Sequence, residues 1–369
     1  MFSVSEFLIS VGIITALTAI LAIILVVADA FIANYGECKI SINGKKDLTV
    51  KGGRSLLLTL MDEEIFIPSA CGGRGSCGLC KVKVASGAGQ YLPTELPWIS
   101  KEEQAENVRL SCQLKVKTDM SITIPEELFS VRRFKTKVES IKDLTHDIKE
   151  VRFRLQQPDS IEYKAGQFVQ IQVPEYKLSS EQVFRAYSMS SVPSDTGVIE
   201  LEIRLVPEGI CTTWVHQFLK EGEEVTINGP YGDFYLRDTE RDIICIAGGS
   251  GNAPIKSILL DMAEKGNPRK VSYFYGARTK ADLVLPDEMA AIEEKLPNYK
   301  YIPVLSQPVE DDNWEGETGW VTDAVTKFMK DGDNTEAYLC GSPGMIDACV
   351  KVLTEKGVPE ELIFYDKFA

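Results

Sequence analysis

The sequence predicts a multidomain α+β and α/β chain: an N-terminal transmembrane helix, a small β-rich domain around a cysteine loop, an antiparallel β-barrel and a doubly wound parallel sheet. Three observations predict it. Residues 7–28 carry no charge and are mostly Ile, Leu, Val and Ala. Three cysteines crowd the glycine-rich stretch Cys71-Gly72-Gly73-Arg74-Gly75-Ser76-Cys77-Gly78-Leu79-Cys80, and Cys112 follows 32 residues on. Near residue 242 short strands separated by turns give way to strand–helix alternation.

The apolar run comes first. As a helix it spans about 33 Å, close to the roughly 30 Å of a bilayer's hydrocarbon core. A cleavable signal peptide is the rival, but the run is too long for one and no basic residue precedes it. Lys39, Lys45, Lys46, Lys51 and Arg54 follow it and favour a cytoplasmic C-terminal side. Residues 1–35 are therefore expected to be a single-pass anchor. The remainder has a soluble composition, 44% apolar and 25% charged. A net charge of −14 leaves no electrostatic footprint for nucleic acid.

Residues 36–130 form the second piece, with strands expected at 50–58, 81–84 and 120–124 and a helix at 101–108. Four thiolates are the ligand set of a [2Fe–2S] cluster, and one tight loop plus a distant fourth ligand is the ferredoxin arrangement. Cys71, Cys77, Cys80 and Cys112 are the candidate metal ligands. Glycine suits the loop because backbone N–H groups must curl towards an anionic centre. The first gap is one residue longer than in the plant-type spacing. A zinc site favours two Cys-x2-Cys pairs, and only one is present. Disulfides require an oxidising compartment and a framework that the other five cysteines lack.

The third piece, residues 131–238, has strand-like runs at 150–155, 168–173, 198–205 and 224–227 divided by turns, hence an antiparallel barrel. The fourth, residues 239–369, repeats strands at 243–247, 271–275, 301–304 and 337–339 with helices between. Its first strand runs into Ala247-Gly248-Gly249-Ser250-Gly251-Asn252-Ala253-Pro254, a turn able to bring a pyrophosphate against helix N–H groups. In the barrel, Arg185-Ala186-Tyr187-Ser188-Met189-Ser190 and the helix start at Gly209-Ile210-Cys211-Thr212-Thr213 form a second candidate phosphate site. A tight βα turn and ordinary strand chemistry are the plainer alternatives for these strings.

These motifs occur in a telling order, continuing through Asn228-Gly229-Pro230-Tyr231-Gly232, Tyr275-Gly276-Ala277-Arg278 and Tyr338-Leu339-Cys340-Gly341-Ser342-Pro343-Gly344-Met345. From residue 131 onward the chain resembles the ferredoxin–NADP reductase superfamily. With the cysteine loop and the anchor added, it is similar to the family of F subunits of sodium-translocating NADH:quinone reductases. Val304-Leu305-Ser306-Gln307-Pro308, Asp312-Asn313-Trp314-Glu315-Gly316 and the terminal Phe364-Tyr365-Asp366-Lys367-Phe368 carry that narrower likeness.

The resemblance implies a β-grasp-like [2Fe–2S] ferredoxin domain, a flavin-binding barrel and a nicotinamide-binding α/β domain. It implies that Arg185 meets the FAD pyrophosphate, Tyr187 packs on the isoalloxazine and Ser188 hydrogen-bonds near N5. It places Gly209, Thr212 and Thr213 on flavin phosphates, and Gly248, Gly249 and Gly251 on the NADH pyrophosphate. Cys340 is expected near the nicotinamide C4, with Phe368 covering the flavin face; Ser188, Cys340 and Phe368 are the catalytic candidates. Two positions depart from the family pattern, Lys256 in place of arginine and Ala369 in place of a terminal glycine.

The implied function is the NADH-oxidising input subunit of a bacterial inner-membrane complex, its domains in the cytoplasm. Other membrane subunits reduce quinone and move sodium, because one uncharged helix offers an ion no path. Electron counting fixes the order of carriers: nicotinamide gives a two-electron hydride, a [2Fe–2S] cluster takes one electron, and flavin does both. Two other readings share most motifs, a reductase feeding an oxygenase and an anchored electron carrier without flavin. Arg278, Lys280 and Asp282 give a mixed signal between NADPH and NADH. His146 and His216 are expected at the surface, and Cys38, Cys211, Cys245 and Cys349 as unpaired thiols.

Overall fold

A computed structural model describes residues 4–32, 35–180 and 182–368, with the side chains of the first helix described over residues 8–24 and at Val26. Ala369 lies outside the described residues. Two compact units emerge, Met1–Ser130 and Val131–Ala369.

The first unit opens with α1, Val4–Ile32, a continuous helix of 29 residues. Every described side chain on it is exposed, including Leu17 at 61% and Ile23 at 63%. The described side-chain run of 8–24 is about 25 Å long, short of a hydrocarbon core. Among the described residues, no helix is long and apolar enough to cross a membrane. The predicted span extends at both ends beyond those side chains.

The rest of this unit is one five-stranded sheet in the order β2-β1-β5-β3-β4. Its strands are β1 (Glu37–Ile42), β2 (Lys46–Lys51), β3 (Lys81–Ser86), β4 (Val108–Leu110) and β5 (Met120–Thr123). Asn43 and Gly44, both at positive φ, sit in the three-residue β1–β2 connection, where the Lys45 N–H donates to the Ile42 carbonyl at 3.0 Å. The strand expected over 50–58 stops at Lys51. Residues 56–58 instead begin the helix α2, Leu56–Asp62, capped when the Ser55 hydroxyl accepts the Leu58 N–H. Leu56, Leu57 and Leu60 then share the buried face. A second short helix, α3 (Lys101–Ala105), starts in a capping box between Ser100 and Glu103.

In the second unit, β6 (Arg132–Asp143), β7 (Ile148–Gln157), β8 (Phe168–Val173), β9 (Val183–Ser188), β10 (Val198–Arg204) and β11 (Glu224–Tyr231) pair antiparallel in the order β10-β7-β6-β11-β8-β9. A bridge between Met189 and Leu201 joins the two edges and curls the sheet into a barrel. Helix α4, Ile210–Gln217, closes one end with Trp214 and Val215 in the barrel core.

Next comes a sheet whose paired strands all run parallel, in the order β15-β14-β13-β12-β16-β17. It comprises β12 (Asp242–Gly248), β13 (Val271–Ala277), β14 (Tyr299–Leu305), β15 (Glu317–Thr318), β16 (Thr335–Gly341) and β17 (Ile363–Lys367). Helices α5 (Asn252–Glu264), α6 (Pro286–Ala291), α7 (Val321–Phe328) and α8 (Pro343–Glu355) connect them. Each face has its own core. Cys245, Tyr273 and Tyr275 lie on one, and Ile246, Phe274 and Leu339 on the other. The strand order reverses between β12 and β16, and ligands of such sheets bind where the carboxyl ends diverge at this point.

Candidate functional site

The cysteine loop is a backbone construction. Gly72, Gly73, Gly75 and Gly78 all take positive φ. At Gly75, φ +76° favours glycine, and an added Cβ would stand 2.7 Å from the Gln113 side-chain amide and push it aside. Cys80 and Cys112 are buried while Cys71 and Cys77 are half-buried. The thiols fall into two pairs within hydrogen-bonding reach, Cys71 with Cys77 and Cys80 with Cys112. The bond from Cys77 draws Cys71 down to about 3, and the same bond raises Cys77. Cys112 is lowered to about 7 by its bond with Cys80, which is raised in turn.

Main-chain N–H groups of Arg74 and Ser76 point at the Cys71 sulfur, and those of Leu79 and Gly75 at Cys77 and Cys112. The Gln113 amide donates to the Cys112 sulfur at 3.6 Å. Among the described residues, no three His, Cys, Asp or Glu side chains converge tightly enough for one metal ion. Two thiol pairs ringed by N–H donors suit an anionic centre with two irons, whereas a single tetrahedral zinc would need all four thiolates at once.

A buried clasp holds the segment leading to Cys112. Arg109 donates to Glu95 at 2.7 and 3.0 Å and to the carbonyls of Ala88, Gly89 and Gln90 at 3.0–3.1 Å. Glu95 also accepts the Leu110 N–H at 3.1 Å. Burial alone would raise the Glu95 carboxyl, but Arg109 and these N–H groups hold it below the usual carboxylate range. The clasp fixes the strand that delivers Cys112.

In the second unit, β9 and the start of α4 converge. The Tyr187 hydroxyl and the Cys211 thiol are hydrogen-bonded, and Cys211 feels the Arg185 charge. Burial raises both Tyr187 and Cys211, so both stay neutral. The Arg185 guanidinium donates to the Phe184 carbonyl at 2.8 Å, and Ser188 is buried at the strand's end. Gly209 caps α4 without a side-chain acceptor, which leaves first-turn N–H groups for an anion. Thr213 is buried in that first turn. The Thr212 hydroxyl is already committed to Val206, accepting its N–H at 3.1 Å and donating to its carbonyl at 3.2 Å.

The glycine turn lies at the switch point. Gly248 ends β12, Gly249 has φ +57°, and Gly251 precedes α5 without a side-chain cap. A Cβ on Gly251 would meet the Cys340 carbonyl at 2.2 Å, so the turn and the end of β16 touch backbone to backbone. Behind it, Asn252 donates to both oxygens of Glu202 at 2.9 and 3.2 Å and accepts from the Tyr273 hydroxyl at 2.7 Å. Burial raises Glu202 to about 8, and it is therefore a neutral acid at pH 7. Lys256 bridges to Glu200 at 3.0 Å and to Glu288 at 3.2 Å, carboxylates that outweigh burial and keep it charged.

Cys340 is fully buried at the end of β16, and burial raises its thiol. Phe368 packs on the core cluster that contains Cys340, and its N–H donates to the Gly341 carbonyl at 2.9 Å.

Three protein-family models match in the same order along the chain: a 2Fe-2S iron-sulfur cluster binding domain at residues 40–117, an oxidoreductase FAD-binding domain at 135–235 and an oxidoreductase NAD-binding domain at 245–351. The chain is 35% identical to the F subunit of the Na(+)-translocating NADH-quinone reductase of Neisseria meningitidis, over 98% of this chain and 99% of that one. It is 36% identical to the F subunit of the Pseudomonas aeruginosa enzyme, with 98% of each covered. The chain belongs to this family of F subunits. Among solved structures, an Amycolatopsis cytochrome P450 reductase superposes with TM-score 0.74 at 28% identity, over 90% of this chain and 98% of that one. A ferredoxin reductase of a carbazole 1,9a-dioxygenase gives 0.69 at 28%, over 90% and 99%.

Within this member of the family, several residues of these sites were invisible to motif reading. Arg109 and Glu95 stand 14 residues apart, Asn252 and Glu202 stand 50 apart, and no local pattern links either pair. Cys211 is no idle thiol, since it faces Tyr187. His216 is half-buried, not superficial, because its Nε2 lies 2.9 Å from the Ile203 carbonyl. His146 is exposed. Asp282 is engaged locally, accepting the Thr279 N–H and hydroxyl at 2.9 and 2.8 Å.

Proposed function

We propose that the chain is the NADH-oxidising input subunit of a membrane NADH:quinone reductase, carrying electrons from NADH through FAD and a [2Fe–2S] cluster to a membrane acceptor. The full-length likeness to F subunits is the observation that carries the reading. Sodium transport and quinone reduction belong to partner subunits.

Cys71 and Cys77 would hold one iron, and Cys80 and Cys112 the other. Arg185 supplies the positive charge and α4 the N–H groups for a flavin pyrophosphate, with Tyr187 held at its angle by Cys211. Ser188 is proposed near the flavin's reactive nitrogen. Thr213 is the hydroxyl proposed for phosphate, and Thr212 shapes the turn by tying it to Val206. Gly248, Gly249 and Gly251 admit the dinucleotide pyrophosphate to α5. Flavin, when bound, supplies the conversion of a hydride's electron pair into single electrons. Cys340 acts by position, because a thiol raised by burial is no nucleophile. Phe368, tied to Gly341, is placed to cover the site and exclude water until nicotinamide arrives.

We propose α1 as the single-pass anchor, with residues 36–130, 131–238 and 239–369 as cytoplasmic domains. An apolar helix exposed all round is stable only against lipid or a partner's apolar surface. A reductase feeding an oxygenase is favoured by the superpositions above. The 98% coverage by F subunits, against 90% for those reductases, favours the membrane complex. Isolation in mild detergent decides: co-purification with polytopic subunits and NADH-dependent quinone reduction is expected. A chain that fractionates without membranes and reduces an oxygenase component overturns the proposal.

A further inference from the structure

Ser111 stands immediately before Cys112 and is 0% exposed. Its main chain is fixed on both sides. The N–H donates to the Cys80 carbonyl at 2.8 Å, and the carbonyl accepts the Leu57 N–H at 3.0 Å. Among the described residues its buried hydroxyl oxygen has no oxygen or nitrogen partner, and the sulfur of Cys80 is the group within its hydrogen-bonding reach. The group it faces is the Cys80 side chain. A buried hydroxyl without a partner is costly, and alanine would fill this space as well. A neutral thiol is a poor acceptor. A sulfur of an iron–sulfur centre carries negative charge and accepts well.

We propose that the Ser111 hydroxyl donates a hydrogen bond to the Cys80 sulfur once the [2Fe–2S] cluster is in place, and that this bond raises the cluster's reduction potential. Four thiolates and two sulfides outweigh the charge of two irons, so the cluster is anionic and becomes more so on gaining an electron. A donor beside Cys80 therefore stabilises the reduced state more than the oxidised one. Ser111 is a positioning and tuning residue, distinct from the four ligands. It makes the cluster an easier acceptor for the electrons that flavin releases.

The inference rests on Cys71, Cys77, Cys80 and Cys112 being the ligands, and iron content tests that separately. The test uses the full chain purified in detergent with its cofactors, as parent and Ser111→Ala. Both are titrated against redox mediators while the cluster's electron paramagnetic resonance signal is followed. Iron content and NADH bleaching of the flavin are expected to match. The Ser111→Ala cluster should titrate lower, with about a tenfold smaller ratio of reduced to oxidised form at fixed potential, which is 59 mV for one electron. An unchanged or higher midpoint at equal iron content overturns the proposal. If Ser111→Ala holds less iron, the parent decides: transfer to deuterium oxide should remove a strongly coupled hydroxyl proton from its reduced-cluster spectrum. A parent spectrum without such a proton overturns the proposal.

Discussion

The cysteine loop and the glycine turn after β12 both offer main-chain N–H groups to an anion, yet they are braced differently. Next to the Cys112 ligand sits a charged clasp, Arg109 with Glu95, every strong contact of which stays inside the sheet domain. Behind the turn, Asn252 is held by Glu202 of the barrel strand β10 and by Tyr273 of the parallel sheet. One brace is local to a single domain. The other crosses from barrel to sheet, so the seat for a dinucleotide depends on how those two halves pack. A permanently held centre can rely on its own domain, whereas a hydride donor must be presented to a flavin across a boundary.

The sharpest way to break this comparison is to remove a cluster ligand. Cys77→Ala is expected to abolish the cluster's visible spectrum while NADH still bleaches the flavin, as stopped-flow absorbance would show. Loss of flavin reduction as well would mean the two sites are not separable. Next in size, Arg109→Met leaves Glu95 buried without its partner and should cost the first unit about 3–5 kcal/mol in denaturant unfolding. A loss under about 1 kcal/mol would demote the clasp.

The brace behind the turn titrates. Glu202 is raised to about 8 in the folded chain, while an unfolded glutamate titrates near 4.3. The folded state therefore holds a proton that the unfolded state has lost, and stability falls as pH rises between these values. Glu202→Gln keeps the shape without the titration and should flatten that decline by about 3.5 kcal/mol between pH 5 and 8. Thermal unfolding across this range checks it, and parallel slopes for both proteins would refute it. The smallest effect comes from the turn itself. Gly251→Ala drives a methyl into the Cys340 carbonyl and should weaken NADH binding about tenfold, or 1.4 kcal/mol, with flavin retained.

What the sequence made legible was whatever lies close along the chain. The four cysteines announce themselves by spacing, and the glycine turn by its place between a strand run and a helix. The fold class followed from periodicity, because alternating strands and strand–helix units bury their faces differently. Leu56-Leu57-Leu58 misled, since a triple leucine fits either period and only the Ser55 cap decides for helix. Glu202 reads as one more residue of an alternating strand, and its partner Asn252 lies beyond a helix and two further strands. The Arg109 clasp and the Ser111 hydroxyl were hidden for the same reason: their meaning comes from neighbours the chain reaches only by folding.

The backbone contact between Gly251 and Cys340 has a mechanical outcome. Phe368 hangs from Gly341, one residue past Cys340, so the last residues of the fold and the first turn of the dinucleotide seat share a single seam. With Phe368 proposed as a cover and the glycine turn as the phosphate seat, a nicotinamide displacing the ring would tug on the same strand end that borders its phosphates. On the proposed roles, arrival of fuel and opening of the hatch would be geared together.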